Sequence, residues 1–363
     1  MAKRKKKRVT TRDIAAACGV SQSTVSMILS GKKGVSFTEE TRKKVFETAM
    51  ALGYEFPNRK NGDNACEKTI LVICPALSSQ YYITLLESVA AYGEKFGYTT
   101  LTAHTRRKKE LEREYLEMAR QMKMAGVIFT YPPQSYRLLN EVAGEVPIVL
   151  ISDPNEQLRV NTIELHSEKP GMMVAEHLIS LGHRRIAFLT TPLNEKEIPR
   201  VKRLEGIKEA FRRHGLDPGQ VLVKEISPQQ LELFAPGRRY FDTGYYLTLE
   251  VLNEDPSVTA FVGTTDMVSM GIMEALSERG FSVPEDYSVC GFDNNFLSSI
   301  SRFSLTSVDH SVEAKGMDAV DIIHRYGRSA DRGRRGRPIL RMEYEPRLVV
   351  RNSTGPVRSR QFH

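Results

Sequence analysis

The chain has 363 residues, 40% of them hydrophobic, and a mean hydropathy of −0.35, the profile of a water-soluble globular protein of roughly two to three domains. No run reaches the ~18 apolar residues of a membrane span, and no apolar stretch succeeds the charged N-terminus, so neither a membrane protein nor a signal peptide is expected. Residues 1 to 60 carry 14 Lys/Arg against 5 Asp/Glu, leaving 38 against 39 of the totals 52 and 44 for the remainder, so only the first segment is built to meet a polyanion.

The run Lys3 to Arg8 taken alone is a solvated tail. The residues after it give it meaning. Thr10 or Thr11 can cap a first helix with Asp13 near its positive end, and Ile14, Ala15 and Cys18 recur on one face. Gly19 suits the left-handed exit of that helix, and Val20 fills the corner. Ser21 then caps a second helix, Gln22 to Leu29, whose Val25 and Ile28 point back at the first. Two short helices, a tight glycine turn and polar residues facing outward make a helix-turn-helix. A third helix begins after Thr38, with Val45, Phe46 and Ala49 as its apolar stripe and Gly53 as its end.

The unbroken stretch from Val9 to Asn58 resembles the DNA-binding domain of the lactose-repressor (LacI) family, with its D-I-A start, G-V-S, T-V-S, T-R-x-x-V and L-G-Y…P-N segments. The resemblance implies that the helix after Ser21 enters the major groove of each half-site, with Gln22, Ser23 and Met27 at the base-reading positions and Thr11, Ser21, Thr24, Lys32 and Arg59 among the other DNA contacts. Gln pairs bidentately with adenine, Ser donates or accepts, and the Met27 thioether favours apolar contact where the family often has arginine. Lys32, Lys33, Lys43 and Lys44 suit phosphates.

Residues 59–68 form the linker. Family members carry a hinge helix here with a leucine that wedges into the minor groove, but this chain has no leucine between Leu52 and Leu71. Gly62 and its Asn/Asp neighbours disfavour a helix. Little central bending of the operator is therefore expected, with Arg59 and Lys60 the only candidates to track the minor groove.

From Thr69 the pattern changes to short apolar strands alternating with helices. Ile70 to Cys74, Gly126 to Phe129, Ile148 to Ile151, Arg185 to Leu189, Thr259 to Val262 and Tyr287 to Cys290 read as buried parallel strands. Nearly 290 residues exceed one comfortable core, so two subdomains are expected. There is no GxGxxG after a strand, no Walker motif, no HExxH and no GxSxG, so no enzyme is expected. Cys18, Cys66, Cys74 and Cys290 form no CxxC, and the histidines show no metal spacing and read as surface or cap residues, so no metal, cofactor or disulfide is expected.

The resemblance continues through EHLISLGHRRIAFL, RLEGIKEAF, TDMVSMGIMEAL, VPEDYSVCGFDN and EPRLVVRNSTGP. It implies a small all-α helix-turn-helix domain (residues 1–58) followed by an α/β periplasmic-binding-protein-like domain (69–355) of two Rossmann-like subdomains. These take about 69–165 and 312–338, and about 166–308 and 339–355. It also implies a cytoplasmic, homodimeric, effector-controlled regulator, most often a repressor, of near-palindromic double-stranded operator DNA. The effector would be a small molecule of carbohydrate type, contacted by Tyr82, Ser152, Arg203, Thr265 and Asp293. Thr265 replaces the family's Asn of A-N-D, and Ser152 stands where the family has an acid. No leucine heptad occurs past Pro356, so no tetramer-forming coiled coil is expected.

Overall fold

The Thr10 hydroxyl accepts from the Asp13 amide while the Asp13 carboxylate accepts from the Thr10 amide and hydroxyl at 2.7 Å, a reciprocal cap that opens α1 (Thr11–Cys18). Gly19, at φ +70°, closes it in the left-handed region that a side chain disfavours. The Ser21 hydroxyl accepts from the Thr24 amide at 3.1 Å and opens α2 (Gln22–Ser30). The Thr38 hydroxyl does the same for α3 (Glu39–Ala51). Ile14, Ala15, Cys18, Val25, Ile28, Val45 and Ala49 form the core between the three, and each fully buried Val or Ile stabilises it by roughly 1.5–3 kcal/mol. Phe46 departs from the expected stripe: it is exposed, because Val45 and Ala49, four apart, already fill the inward line.

The computed structural model describes residues 9–30, 37–52, 54, 65–77, 79–153, 156–193, 198–328 and 338–357. Lys3 to Arg8, Lys32, Lys33, Gly53, Arg59, Lys60 and Gly62 lie outside them, as does the Lys43 side chain. Of the linker, Ala65–Lys68 is a single 3-10 turn. The chain divides into two units, Met1–Asn64 and Ala65–His363.

In the second unit the chain first lays down β1 (Thr69–Cys74), α4 (Gln80–Lys95), β2 (Thr99–His104), α5 (Lys109–Gln121), β3 (Gly126–Phe129), α6 (Tyr136–Val142), β4 (Ile148–Ser152) and β5 (Asn161–Glu164). It crosses to α7 (Glu168–Ser180), β6 (Ile186–Thr190), α8 (Ile198–Arg213), β7 (Val221–Glu225), α9 (Pro228–Leu233), α10 (Arg239–Glu254), β8 (Ala260–Gly263), α11 (Asp266–Glu278), β9 (Ser288–Phe292) and β10 (Thr306–Asp309). It returns for α12 (Val312–Arg328) and β11 (Arg341–Glu343), then ends in β12 (Arg347–Val349). The sheets run β11-β5-β4-β3-β1-β2 and β12-β10-β9-β8-β6-β7, parallel throughout except that β12 is antiparallel to β10. β11 pairs with β5, so residues 341–343 belong to the first sheet, where the family resemblance implied that about 339–355 belong to the second subdomain.

Both sheets are covered on both faces, which explains the unbroken apolar strands. Leu71 and Ile73 pack on one side of β1, Ile70 and Val72 on the other. Ile186 and Phe188 against Ala187 and Leu189 repeat the division in β6. Each sheet reverses its strand order once, between β1 and β3 and between β6 and β8, and the crevices at such reversals, beyond the carboxyl ends of the strands, are where ligands bind. Among the described residues no helix is long and apolar enough to cross a membrane.

Candidate functional sites: an exposed recognition helix and an arginine-rich cleft

On the first unit, burying Val25 and Ile28 leaves Gln22, Ser23 and Ser26 exposed along α2. The Gln22 side chain is already oriented. Its amide nitrogen donates to the Thr11 hydroxyl at 3.2 Å, and its oxygen accepts from Arg12 Nε at 3.1 Å. Thr11 therefore acts here through Gln22. The Ser21 hydroxyl lies 2.8 Å from those of Ser23 and Thr24, a cluster at the helix N-terminus where backbone amides favour an anion. Met27 is half-buried beside this face, and the Lys44 side chain is exposed.

On the second unit, a cavity of about 620 Å³ opens at both strand-order reversals. From the first subdomain come Tyr81 and Tyr82 of α4, Arg106 and Arg107 after β2, and Tyr131 after β3. From the second come Arg200 and Arg203 of α8, Arg239 and Tyr240 of α10, Thr265 after β8, Asp293 after β9 and His310 after β10. This size suits a small molecule.

Arg203 is held from behind. A Cβ on Gly171 of α7 would overlap the Arg203 carbonyl, and one on Gly206 would overlap the Glu168 carbonyl, so the two helices cross backbone to backbone. The guanidinium donates to the Thr264 carbonyl at 2.8 Å, meets His310 Nε2 at 3.3 Å and lies 4.8 Å from the centre of the Phe292 ring. Among the described residues its buried Nε has no partner, nor has the buried Tyr81 hydroxyl. Two buried polar atoms lacking partners at one cavity mark where a ligand's own polar groups would go.

Asp293 and Asp266 form the acidic corner. Asp266, fully buried at the start of α11, accepts from the Ser298 hydroxyl, from Ser307 Oγ at 2.5 Å and from the Asn295 amide at 3.0 Å. Its own amide donates to Asp293 Oδ2 at 3.3 Å. Burial first, and then the neighbouring Asp266, push Asp293 up to about 8, with Arg203 opposing them. These surroundings favour the protonated form of the corner, and a protonated Asp293 can donate as well as accept. Burial lowers Arg203, and burial with Arg203 and Lys315 nearby holds His310 well below the usual imidazole range, so His310 is the neutral acceptor for the guanidinium.

Four of the five expected effector contacts, Tyr82, Arg203, Thr265 and Asp293, line this cavity. Ser152 does not. Its neighbour Ile151 does, and successive strand side chains point to opposite faces. Asp153, one step on, is buried instead on Ser167, accepting from its amide and hydroxyl at 2.9 Å. The Thr265 hydroxyl caps α11 by accepting from the Val268 amide. His183 and His310 are buried in hydrogen-bonded settings, contrary to the surface or cap role expected of them. Sequence reading passes over Tyr81, Arg106, Arg107, Arg200, Arg239 and His310. The available signal is position, since Arg106 and Arg107 come directly after the carboxyl end of a strand.

Comparison with known proteins agrees with this geometry. Residues 10–58 match the family model "Bacterial regulatory proteins, lacI family", and residues 175–354 match "Periplasmic binding protein-like domain". The regulator MalR of Streptomyces coelicolor is 30% identical over 357 residues, which are 95% of this chain and 97% of MalR. A transcriptional regulator of Silicibacter pomeroyi superposes with a TM-score of 0.69 at 23% identity, covering 95% of this chain and 99% of that one. The regulator CelR, solved as a cellobiose complex, superposes at 0.64 with 23% identity, covering 95% and 100%. With a helix-turn-helix unit joined to a two-sheet, periplasmic-binding-protein-like unit, and with relatives of this identity across nearly its whole length, the chain belongs to the LacI family of DNA-binding transcriptional regulators.

Proposed function

We propose that the protein is a cytoplasmic repressor that binds a near-palindromic operator as a homodimer and is controlled by a small polyhydroxylated effector held in the cleft. Gln22 pairs with an adenine, Ser23 supplies a second polar contact, and Met27 packs on a thymine methyl. Ser21 and Thr24 meet phosphate at the N-terminus of α2, Lys32 adds a phosphate contact, and Arg59 tracks the minor groove. In the cleft, Arg203 and Asp293 bind hydroxyls, Thr265 shapes the wall beside the α11 cap, and Tyr82, in edge contact with Tyr81 at 5.2 Å, offers a ring face. The complex of CelR with cellobiose supports a carbohydrate class for this cleft as well.

One observation carries the reading: Arg203, clamped by Thr264 and His310, keeps a buried, unpartnered Nε at the cavity wall beside Asp293. Arg203→Ala and Asp293→Ala should bind a selected operator like the parent yet no longer respond to the effector that a thermal-shift screen of sugars and sugar acids identifies. Operator release by that effector undiminished in both variants would refute the placement.

A further inference from the structure

Resting on the effector reading above, we infer that the cleft selects an anionic effector, a small carbohydrate bearing a phosphate or carboxylate group, and that the anion binds between Arg106 and Arg107 on one wall and Arg200 and Arg239 on the other. Five arginines line the cavity, and among its described lining residues Asp293 is the sole acid. A neutral sugar needs no such excess. Its hydroxyls are served by one fork donor and one carboxyl, and Arg203 with Asp293 already provide both.

The first wall is a built feature. Arg106 and Arg107 are consecutive non-glycine residues at φ +50° and +55°, a left-handed pair of the kind that persists only where the surroundings impose it and that gathers at functional sites. The surroundings here are explicit. The Arg106 amide donates to the Pro75 carbonyl at 3.0 Å, and the Arg107 amide to the fully buried Thr105 hydroxyl at 3.2 Å. Thr105 bonds the Tyr131 hydroxyl, which donates to buried Glu112 at 2.8 Å. The Arg107 guanidinium then lies 5.0 Å from the Tyr131 ring centre, its plane braced from beneath. This chain of contacts turns the two arginine heads toward the cavity, and the Arg106 side chain is exposed.

The second wall belongs to the other subdomain. Arg200 lies over the Tyr240 ring at 5.7 Å, Arg239 at the start of α10 donates its Nε to the Phe234 carbonyl at 3.4 Å, and both side chains line the cavity. Like charges facing each other across a cleft resist its closure. An anion between them converts that repulsion into attraction from both sides and draws the subdomains together, with bidentate forks matched to phosphate or carboxylate. Burial and the neighbouring Asp266 favour the protonated form of Asp293, which weakens the opposition of the one acid among the described lining residues to such a ligand.

Calorimetry on the full-length protein tests this with matched probes: glucose, glucose 6-phosphate and gluconate; ribose and ribose 5-phosphate; and inorganic phosphate. An anionic member should bind at least about tenfold tighter than its neutral parent, with affinity falling as salt rises. The phosphate and carboxylate arms separate the two anion types, and phosphate alone should compete weakly. Arg106→Gln and Arg239→Gln should each weaken the anionic probe about tenfold and the neutral parent severalfold less, with Arg106→Lys recovering part of the loss. Apo melting curves show whether each variant is folded. A neutral sugar that binds as tightly as its anionic derivative overturns this inference and leaves the effector reading standing. Full anion affinity in both glutamine variants, or no binding by any anionic probe, also overturns it.

Discussion

The two subdomains of the second unit thread their strands in the same order but brace their helices differently. In the second, α7 crosses α8 through Gly171 and Gly206, and α10 crosses α11 through Gly244 and Gly271, each glycine facing a carbonyl of the opposite helix. In the first, α12 meets a side chain of α4, a Cβ added to Gly316 coming within 2.7 Å of the Ser88 hydroxyl, while Gly93 of α4 faces Tyr98 and Thr100 at open van der Waals distances. Part of the cleft follows this division: Arg203 rides within a helix fixed by backbone contact and Thr265 caps another, whereas Arg106, Arg107 and Tyr131 stand on loops. Rigid placement suits the part of the ligand shared by many sugars, and loops suit the part that distinguishes one from another.

The largest expected effect breaks the rigid half. Gly171→Ala must push α8 away, because the obstructing atom is backbone and no side chain can swing aside. Overpacking of this kind costs about 3 kcal/mol, and Arg203 moves with the helix. Denaturant unfolding should show that loss, and effector affinity should fall with it. An unchanged midpoint would mean that the helices are free to part.

Acid is the next lever, and it too acts on the second subdomain. His183 is buried, with Nε2 donating to the Gly355 carbonyl at 3.1 Å and Nδ1 facing the Thr259 hydroxyl at 2.9 Å. Burial lowers its pKa from 6.5 to about 4. The unfolded chain takes up a proton below 6.5 while the native ring does not, so stability present above that pH is lost as pH falls from 6.5 toward 4. The loss is about 3 kcal/mol over the window. His310, also lowered, steepens the same slope. His183→Gln should flatten the decline between those limits, and an equally steep decline in the variant would assign it elsewhere.

How much of this the sequence reveals depends on whether a site is contiguous. The recognition face of α2 is legible because its capping serine, buried Val25 and Ile28, and exposed Gln22 and Ser23 lie within eight consecutive residues. The cleft is assembled from α4, α8 and α10 and from loops after β1, β2, β3, β8, β9 and β10, so only the segments carrying a family motif, such as R-L-E-G and G-F-D-N, can be placed. Arg106 and Arg107 read as part of a charged run, T-R-R-K-K, and nothing local separates a cavity-facing arginine from a solvated one. Ser152 is suggested by its place in a family motif, and strand alternation turns it away by one residue. β11 goes to the wrong subdomain on the resemblance because three residues carry too little pattern to choose.

A smaller effect is expected on the first unit. Arg12 holds Gln22 by one exposed hydrogen bond of 3.1 Å, so Arg12→Ala removes orientation worth about 1 kcal/mol. Operator affinity should fall about fivefold, and discrimination at the base pair read by Gln22 should relax in competition with single-site operator variants. An equal fall on every sequence would instead make Arg12 a phosphate contact.

The smallest effect sharpens the comparison between the subdomains by reversing its sign. Gly93 lies in the last turn of α4, where an added Cβ would meet Tyr98 Cβ at 3.6 Å and Thr100 Oγ1 at 3.7 Å, ordinary contact distances. Its φ is not in the left-handed region, so alanine adopts the native backbone without strain. Glycine inside a helix loses more conformational freedom on folding than alanine, by roughly 0.5–1 kcal/mol. Gly93→Ala should therefore stabilise the protein by about that amount, while the same change at Gly171 destabilises it severalfold more. Parallel denaturant titrations of the two variants measure the contrast directly. A loss at both positions would show that α4 lies as tightly on the Tyr98–Thr100 segment as α7 lies on α8; a gain at Gly93 alone shows that close backbone approach is confined to the second of the two contacts.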